Sequence, residues 1–140
     1  MKLLGIISFL ALAATSCAQY LAISFPPPGG NLLAGQPFIV ELDMPGRATG
    51  ITEVGIVVGL ASCVAAPCQP PAVDVGLVLY RGSYSPVIHT TGKPPYQSFS
   101  FTIPPNFTKG LAQLNVLHNS TLSPNSIPFF QAATQQVHIF

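Results

Sequence analysis

The sequence predicts an all-β protein, a single antiparallel β-sandwich of about seven to eight strands with an immunoglobulin-like arrangement. Apolar and polar side chains alternate with a period of two in several short segments, as in strands that bury one face. The 15 prolines and 12 glycines separate these segments at short intervals. No longer stretch keeps its apolar residues at helical spacing. A closed β-barrel is the alternative, because strand patterns do not distinguish closure from sandwiching.

The first half of the chain contains three predicted strands. Residues 20–25 alternate and stop at the Pro/Gly loop 26–30. Residues 38–43 alternate again, and the face that carries Phe38, Val40 and Leu42 is expected in the core. Residues 52–60 are β-branched and become apolar on both faces, which is typical of a central strand.

The middle of the chain continues the pattern. Residues 73–80 alternate, and residues 81–84 predict a turn into a short strand that ends near His89. Residues 98–103 form the clearest amphipathic strand, since aromatic and aliphatic side chains alternate there with Ser and Thr. Residues 104–110 contain two prolines and a glycine and are expected to be a loop.

The last predicted strands are residues 111–118 and 134–140, with a polar loop over residues 119–128. The order strand, Pro-containing loop, Gly-initiated strand resembles the turn between the fifth and sixth strands of immunoglobulin-like domains. The tyrosine that often follows the glycine in such corners is replaced by Leu111 and Ala112. The resemblance is therefore to the architecture and not to antibodies.

The amino terminus predicts export. Residues 1–18 combine Lys2, a short apolar run and small side chains at a cleavage position, as a secretion signal does. The run is shorter than the roughly 20 residues that span a bilayer. Residues 19–140 are then one secreted, extracellular domain. A bacterial lipoprotein signal ending at Cys17 is the alternative, although the usual leucine before the cysteine is missing.

Charge excludes some partners. Only 6% of the residues are charged while 49% are hydrophobic. After residue 18, four basic residues balance four acidic ones, so we expect no nucleic-acid partner and no anionic-membrane partner. The sequence contains no second hydrophobic segment, so we expect no membrane span.

Two cysteines remain after the signal. Cys63 and Cys68 are predicted to form a disulfide that closes a short loop, with a stabilisation of roughly 2 kcal/mol. A zinc site is the alternative, but no histidine lies nearby to complete the ligands.

Two Asn-x-Thr triplets begin at Asn106 and Asn119. On an exported chain such triplets are acceptors for N-linked glycans, and both are predicted to lie in loops beside strands.

No catalytic, cofactor or metal site is predicted, and the chain is expected not to be an enzyme. His89, His118 and His138 are far apart in sequence and are interpreted as surface or edge residues. Glu41 and Asp43 lie on one strand face, whereas glycoside hydrolysis needs carboxylates that face each other across a cleft.

Three tyrosines lie near the Gly/Pro connections and are the candidate binding surface, namely Tyr80, Tyr84 and Tyr96. Packing of these rings over the end of the domain is the favoured interpretation.

Residues 76–86 read GLVLYRGSYSP, residues 92–118 begin GKPPYQSFSF, and TEVGIVVGLASC lies upstream. With their Leu-Tyr-x-Gly turn, Pro-Pro-Tyr strand entry and Lys-Gly strand start, these segments resemble the necrosis-inducing secreted effector family of filamentous fungi and its relatives in mushroom-forming fungi. The resemblance covers residues 34–118. The polar residues 119–128 depart from the expected Gly-rich continuation.

The resemblance implies a secreted, non-enzymatic protein that binds host receptor-associated kinases and dampens immunity. A cell-wall or polysaccharide-associated structural module is the alternative. The sequence leaves the host and the oligomeric state open.

Overall fold

The computed structural model describes residues 21–46 and 50–140, so the predicted signal over residues 1–18 lies outside the described residues. The described part of the chain is all-β and contains no helix. Its eight strands are β1 (Ala22–Phe25), β2 (Gly30–Leu32), β3 (Pro37–Asp43), β4 (Ile51–Ser62), β5 (Leu77–Gly82), β6 (Tyr96–Thr102), β7 (Gly110–Leu122) and β8 (Ile127–Ile139).

The strands form two sheets. A three-stranded sheet has the order β1-β3-β6, and a five-stranded sheet has the order β2-β8-β7-β4-β5. All pairs are antiparallel except β2 with β8, which is parallel and which the sequence did not predict. The cause is the Pro-rich loop 26–29, which leads the chain from β1 in one sheet to β2 in the other. There Gly29 N donates to Gln136 O over 2.8 Å.

One hydrophobic core receives side chains from both sheets. Phe38, Val40 and Leu42 of β3 are 8%, 0% and 0% exposed, which confirms the face predicted for that strand. From the five-stranded sheet, Val58 and Leu114 are fully buried. Each such aliphatic side chain contributes about 1.5–3 kcal/mol by leaving water.

The hairpin of β7 and β8 is longer than predicted. The two strands pair from Gly110 with Ile139 to Leu122 with Ile127, so most of the predicted loop 119–128 is strand. Polar residues occur there without breaking the sheet because, at this end of the hairpin, the face away from the core meets solvent.

Strand β5 begins later than predicted. Pro70 O accepts hydrogen bonds from the amides of Val73 and Asp74, and the Asp74 carboxylate accepts one from Gly76 N over 2.8 Å. These bonds form consecutive turns, and Gly76 adopts a φ of 76°, which favours glycine. Residues 73–76 are therefore loop, and the strand continues to Gly82 where a turn was predicted.

Cys63 and Cys68 form the predicted disulfide. The segment over residues 63–76, which begins at this disulfide, is called here the stapled loop, and it lies over the outer face of the five-stranded sheet. Asn115 is fully buried beneath it, and its Nδ2 donates to Asp74 O over 3.1 Å. Gln113 Nε2 donates to Gln69 O over 2.7 Å. Two amide side chains of β7 therefore anchor this loop.

We expect Asn115→Ala to lower the free energy of unfolding by about 1–3 kcal/mol, because it leaves part-buried loop carbonyls without their donor. Urea unfolding measures this loss, and limited proteolysis should show faster cleavage within the stapled loop. Thr134→Ala is the control, since Thr134 pairs with Asn115 across the strands but is exposed. Equal stability of the two variants would contradict the anchoring role.

Candidate functional site

The connection between β5 and β6, residues 83–95, forms the edge of a surface cleft. The short strand predicted to end near His89 is reduced to one bridge between Val87 and Tyr96. Pro86, Pro94 and Pro95 lack the amide hydrogens that a longer ladder would need. The segment therefore stays a loop and is held by its side chains.

Tyr84 anchors this loop to the domain. Its side chain is 1% exposed, and its hydroxyl donates to Leu42 O over 3.1 Å. The edge of its ring meets His118, with 5.5 Å between the ring centroids. Tyr84 therefore belongs to the packing and not to an exposed binding surface, so its candidate role in binding is withdrawn.

His118 and Glu53 form a hydrogen-bonded pair beside Tyr84. The bond joins His118 Nε2 to Glu53 Oε2, and the His118 side chain is 2% exposed against 25% for Glu53. His118 Nδ1 is buried and has no hydrogen-bond partner among the described residues. The interpretation of His118 as a surface residue is therefore wrong. Strand alternation explains its position, since Leu114, Val116 and His118 all face the core.

A β-bulge places Glu53 next to this histidine. Between Glu53 and Gly55 the register of β4 against β7 shifts, so Glu53 pairs with Ser120 and Gly55 with Asn119. Added side-chain bulk at Gly55 is excluded, because a Cβ would lie 2.7 Å from Gly82 O. A bulge of this kind redirects a side chain. No spacing rule in the sequence predicts the pair.

The carboxylate of Glu53 reaches a cleft of about 300 Å³. Its other walls are Met44, Tyr84, Ser85, Pro86 and Val87. The cleft combines one acid with mostly apolar walls. Beyond it the loop exposes two adjacent aliphatic side chains, Val87 at 53% and Ile88 at 69%. This arrangement fits an apolar side chain or a basic group of a ligand.

A second polar group lies on β3 and the same loop. Lys93 Nζ contacts Glu41 Oε1 at 2.5 Å and stands 4.4 Å from the centroid of the Tyr96 ring. The bond to Lys93 lowers the pKa of Glu41, against a smaller opposing effect of burial. The His89 ring packs on Tyr96 with 4.4 Å between centroids. Both neighbours limit access to the Tyr96 ring.

Glu41 and Asp43 do not face each other across a cleft. They lie on the same strand, and Ser24 Oγ sits 3.0 Å from Glu41 Oε1 and 2.8 Å from Asp43 Oδ1. Asp43 is 9% exposed, less than the exposed position expected for it. The pair ties β3 to β1.

The third predicted tyrosine, Tyr80, packs against Phe99 with 4.9 Å between ring centroids. Its hydroxyl donates to Ser83 O over 2.9 Å. Each of the three tyrosine rings therefore packs on another side chain. The exposed loop residues Val87 and Ile88 were missed, because nothing local in the sequence separates them from a strand.

The asparagines of both sequons are exposed. Asn106 lies in a turn of the loop between β6 and β7, as predicted. Asn119 lies in β7 and not in a loop, with its side chain on the face away from the core.

Across residues 21–46 and 50–140, no group of three or more His, Cys, Asp or Glu side chains is placed to hold a metal ion. The same residues form no helix long and apolar enough to cross a membrane.

Comparisons with known proteins do not assign the chain to a family. No family model and no curated protein match it. One similar solved structure is the superoxide reductase (neelaredoxin) from Ignicoccus hospitalis. It is 13% identical, with a TM-score of 0.48 over 86% of this chain and 79% of that chain. The expectation of a protein without enzymatic activity is contradicted by this neighbour, which is an enzyme, and is withdrawn. The likeness is too distant to assign that activity here.

Ionisation of Tyr84 should make the protein less stable in alkali. Burial, followed by the charges of Glu53 and Asp43, raises the pKa of Tyr84 above its ordinary value of 10.0. Above about pH 10 the unfolded chain loses the phenol proton while the folded state keeps it. The free energy of unfolding is therefore independent of this group below about pH 10 and falls as the pH rises further.

We expect Tyr84→Phe to cost about 1 kcal/mol at pH 7 and to flatten the loss of stability above pH 10. Urea unfolding between pH 7 and 11 measures both effects. Tyr80→Phe, which removes a hydroxyl bond near the surface, is the control at pH 7. An unchanged alkaline slope in Tyr84→Phe would show that this phenol is not the group responsible.

Proposed function

We propose that this chain is an exported protein with an immunoglobulin-like β-sandwich fold, and that it acts by binding a protein partner. Two sheets that share one core, a disulfide-closed loop and an amino-terminal segment with signal character support this proposal. Disulfides of this kind persist in oxidising compartments.

The partner would bind at the loop 83–95 and the adjoining cleft. The single observation that carries this assignment is the exposure of Val87, which lines the cleft, and of Ile88 next to it in the loop. A partner that covers these two adjacent aliphatic side chains removes their apolar surface from water. This burial stabilises the complex by about 25 cal/mol for each Å² of apolar surface. The hydrogen bond from the Tyr84 hydroxyl to Leu42 O holds the loop against the domain, so binding costs little conformational entropy in the loop.

The resemblance to fungal secreted effectors suggests which proteins to test. Their targets are receptor-associated kinases of the host, and the Glu53 carboxylate at the cleft would suit a basic side chain of such a partner. A cell-wall polysaccharide is the competing ligand. The rings of Tyr80, Tyr84 and Tyr96 favour it less, because each already packs on another side chain.

The test is a pull-down with cytoplasmic domains of plant receptor-associated kinases, run beside glucan and chitin. We expect retention on the kinase domains and at least about tenfold weaker binding by Ile88→Ser, since one buried aliphatic side chain is worth about 1.5–3 kcal/mol. Val73→Ser is the matched control, because Val73 is 72% exposed but lies in the stapled loop.

Retention only on glucan or chitin would refute the protein-binding proposal in favour of the polysaccharide module. Equal weakening by Ile88→Ser and Val73→Ser would refute the assignment of the surface.

A further inference from the structure

The five-stranded sheet exposes apolar side chains on the half of its outer face that the stapled loop leaves open. We call this the outer-face patch, and it consists of Val54, Val57, Leu117, Phe130 and Ala132. The middle of the patch is continuous across three strands, because Val57 pairs with Leu117 and Leu117 with Ala132. Phe130 is 70% exposed and Val54 62%. An uncovered patch of this kind promotes association in water.

Asn119 stands within this patch. Its neighbours in β7, His118 and Ser120, are buried on the core face, so its own side chain points outward. It pairs directly with Phe130 of β8. Side chains paired in this way have Cβ atoms roughly 4.5–5.5 Å apart.

On its other side Asn119 pairs with Gly55, which has no side chain. A cleft of about 320 Å³ opens beside these two residues. Its walls include Val54, Val57, Arg81, Ser83 and Asn119 itself. Asn119 therefore has an aromatic ring on one flank and open space on the other.

We propose that Asn119 carries an N-linked glycan whose first N-acetylglucosamine packs against the Phe130 ring and covers the outer-face patch. The proposal rests on the export proposed above, because this modification occurs in the secretory pathway.

The chemistry needs a polyprenyl-diphosphate oligosaccharide as donor. A bond forms between Asn119 Nδ2 and the anomeric carbon of the sugar while the bond from that carbon to the diphosphate oxygen breaks. The lipid diphosphate leaves with the electron pair, and Nδ2 releases one of its two protons to a base. Thr121 completes the acceptor triplet.

The position of Phe130 explains why the sugar would stay on the sheet. The face of an aromatic ring carries partial negative charge, and the axial C–H groups of N-acetylglucosamine are weakly positive. Packing them together removes both from water, while the hydroxyl groups of the sugar remain hydrated. A chain with only 6% charged residues would gain solubility from this cover.

The experiment is a double-mutant cycle on the full chain secreted from a fungal host, with Asn119→Gln, Phe130→Ala and both changes together. Glycopeptide mass spectrometry measures occupancy, and thermal unfolding measures Tm. We expect Asn119→Gln to lower Tm by roughly 3–6 °C when Phe130 is present and by less than about 1 °C in Phe130→Ala.

Two controls isolate the sugar. Ile127→Ala truncates another exposed side chain of β8 and should leave the effect of Asn119→Gln unchanged. The same cycle on protein refolded from bacteria, which carries no glycan, should show no coupling between the two positions.

An unmodified Asn119 in secreted protein whose Asn106 carries a glycan would overturn the inference and leave export intact. If Asn119 carries a glycan but Asn119→Gln lowers Tm equally with Phe130 and with Phe130→Ala, the packing of the sugar on the Phe130 ring would be refuted. If the chain does not enter the secretory pathway and both asparagines are unmodified, the proposed export and the proposed glycan would both be refuted.

Discussion

Strand β7 buries side chains on both of its faces, and the rest of the fold depends on its register. Toward the core it contributes Leu114 and Val116, which are fully buried. On the opposite face it contributes Gln113 and Asn115, which hold the stapled loop. A shift of one residue would turn the amides into the core and the aliphatic side chains toward the loop, which makes the alternative pairing costly.

The same alternation separates two polar features at the far end of the strand. His118 faces inward to Glu53 and Tyr84 beneath the proposed partner-binding loop. Asn119, the next residue, faces outward beside Phe130. The proposed partner-binding loop and the proposed glycan site therefore adjoin opposite faces of one strand, and Ser83 at the start of that loop lines the same cleft as Asn119.

The sequence predicted those features that depend on local pattern. Period-two alternation identified the core face of β3, and cysteine spacing identified the disulfide. Features set by long-range contacts were missed, including the parallel strand β2 and the full length of β8. The buried hydroxyl of Tyr84 donates a hydrogen bond to the carbonyl of Leu42, which lies 42 residues away in sequence. The pairing of Glu53 with His118 depends on the β-bulge in β4. No local pattern contains either of these contacts.

Interstrand NOEs in a uniformly labelled sample measure the backbone register of β7 against β8 most directly. We expect contacts between the paired residues Leu114 and Gln135 and between Asn119 and Phe130. Contacts from Asn119 to Phe129 or Gln131 in their place would reveal a register shifted by one residue. That result would contradict the positions assigned to the core, the stapled loop and the glycan site alike.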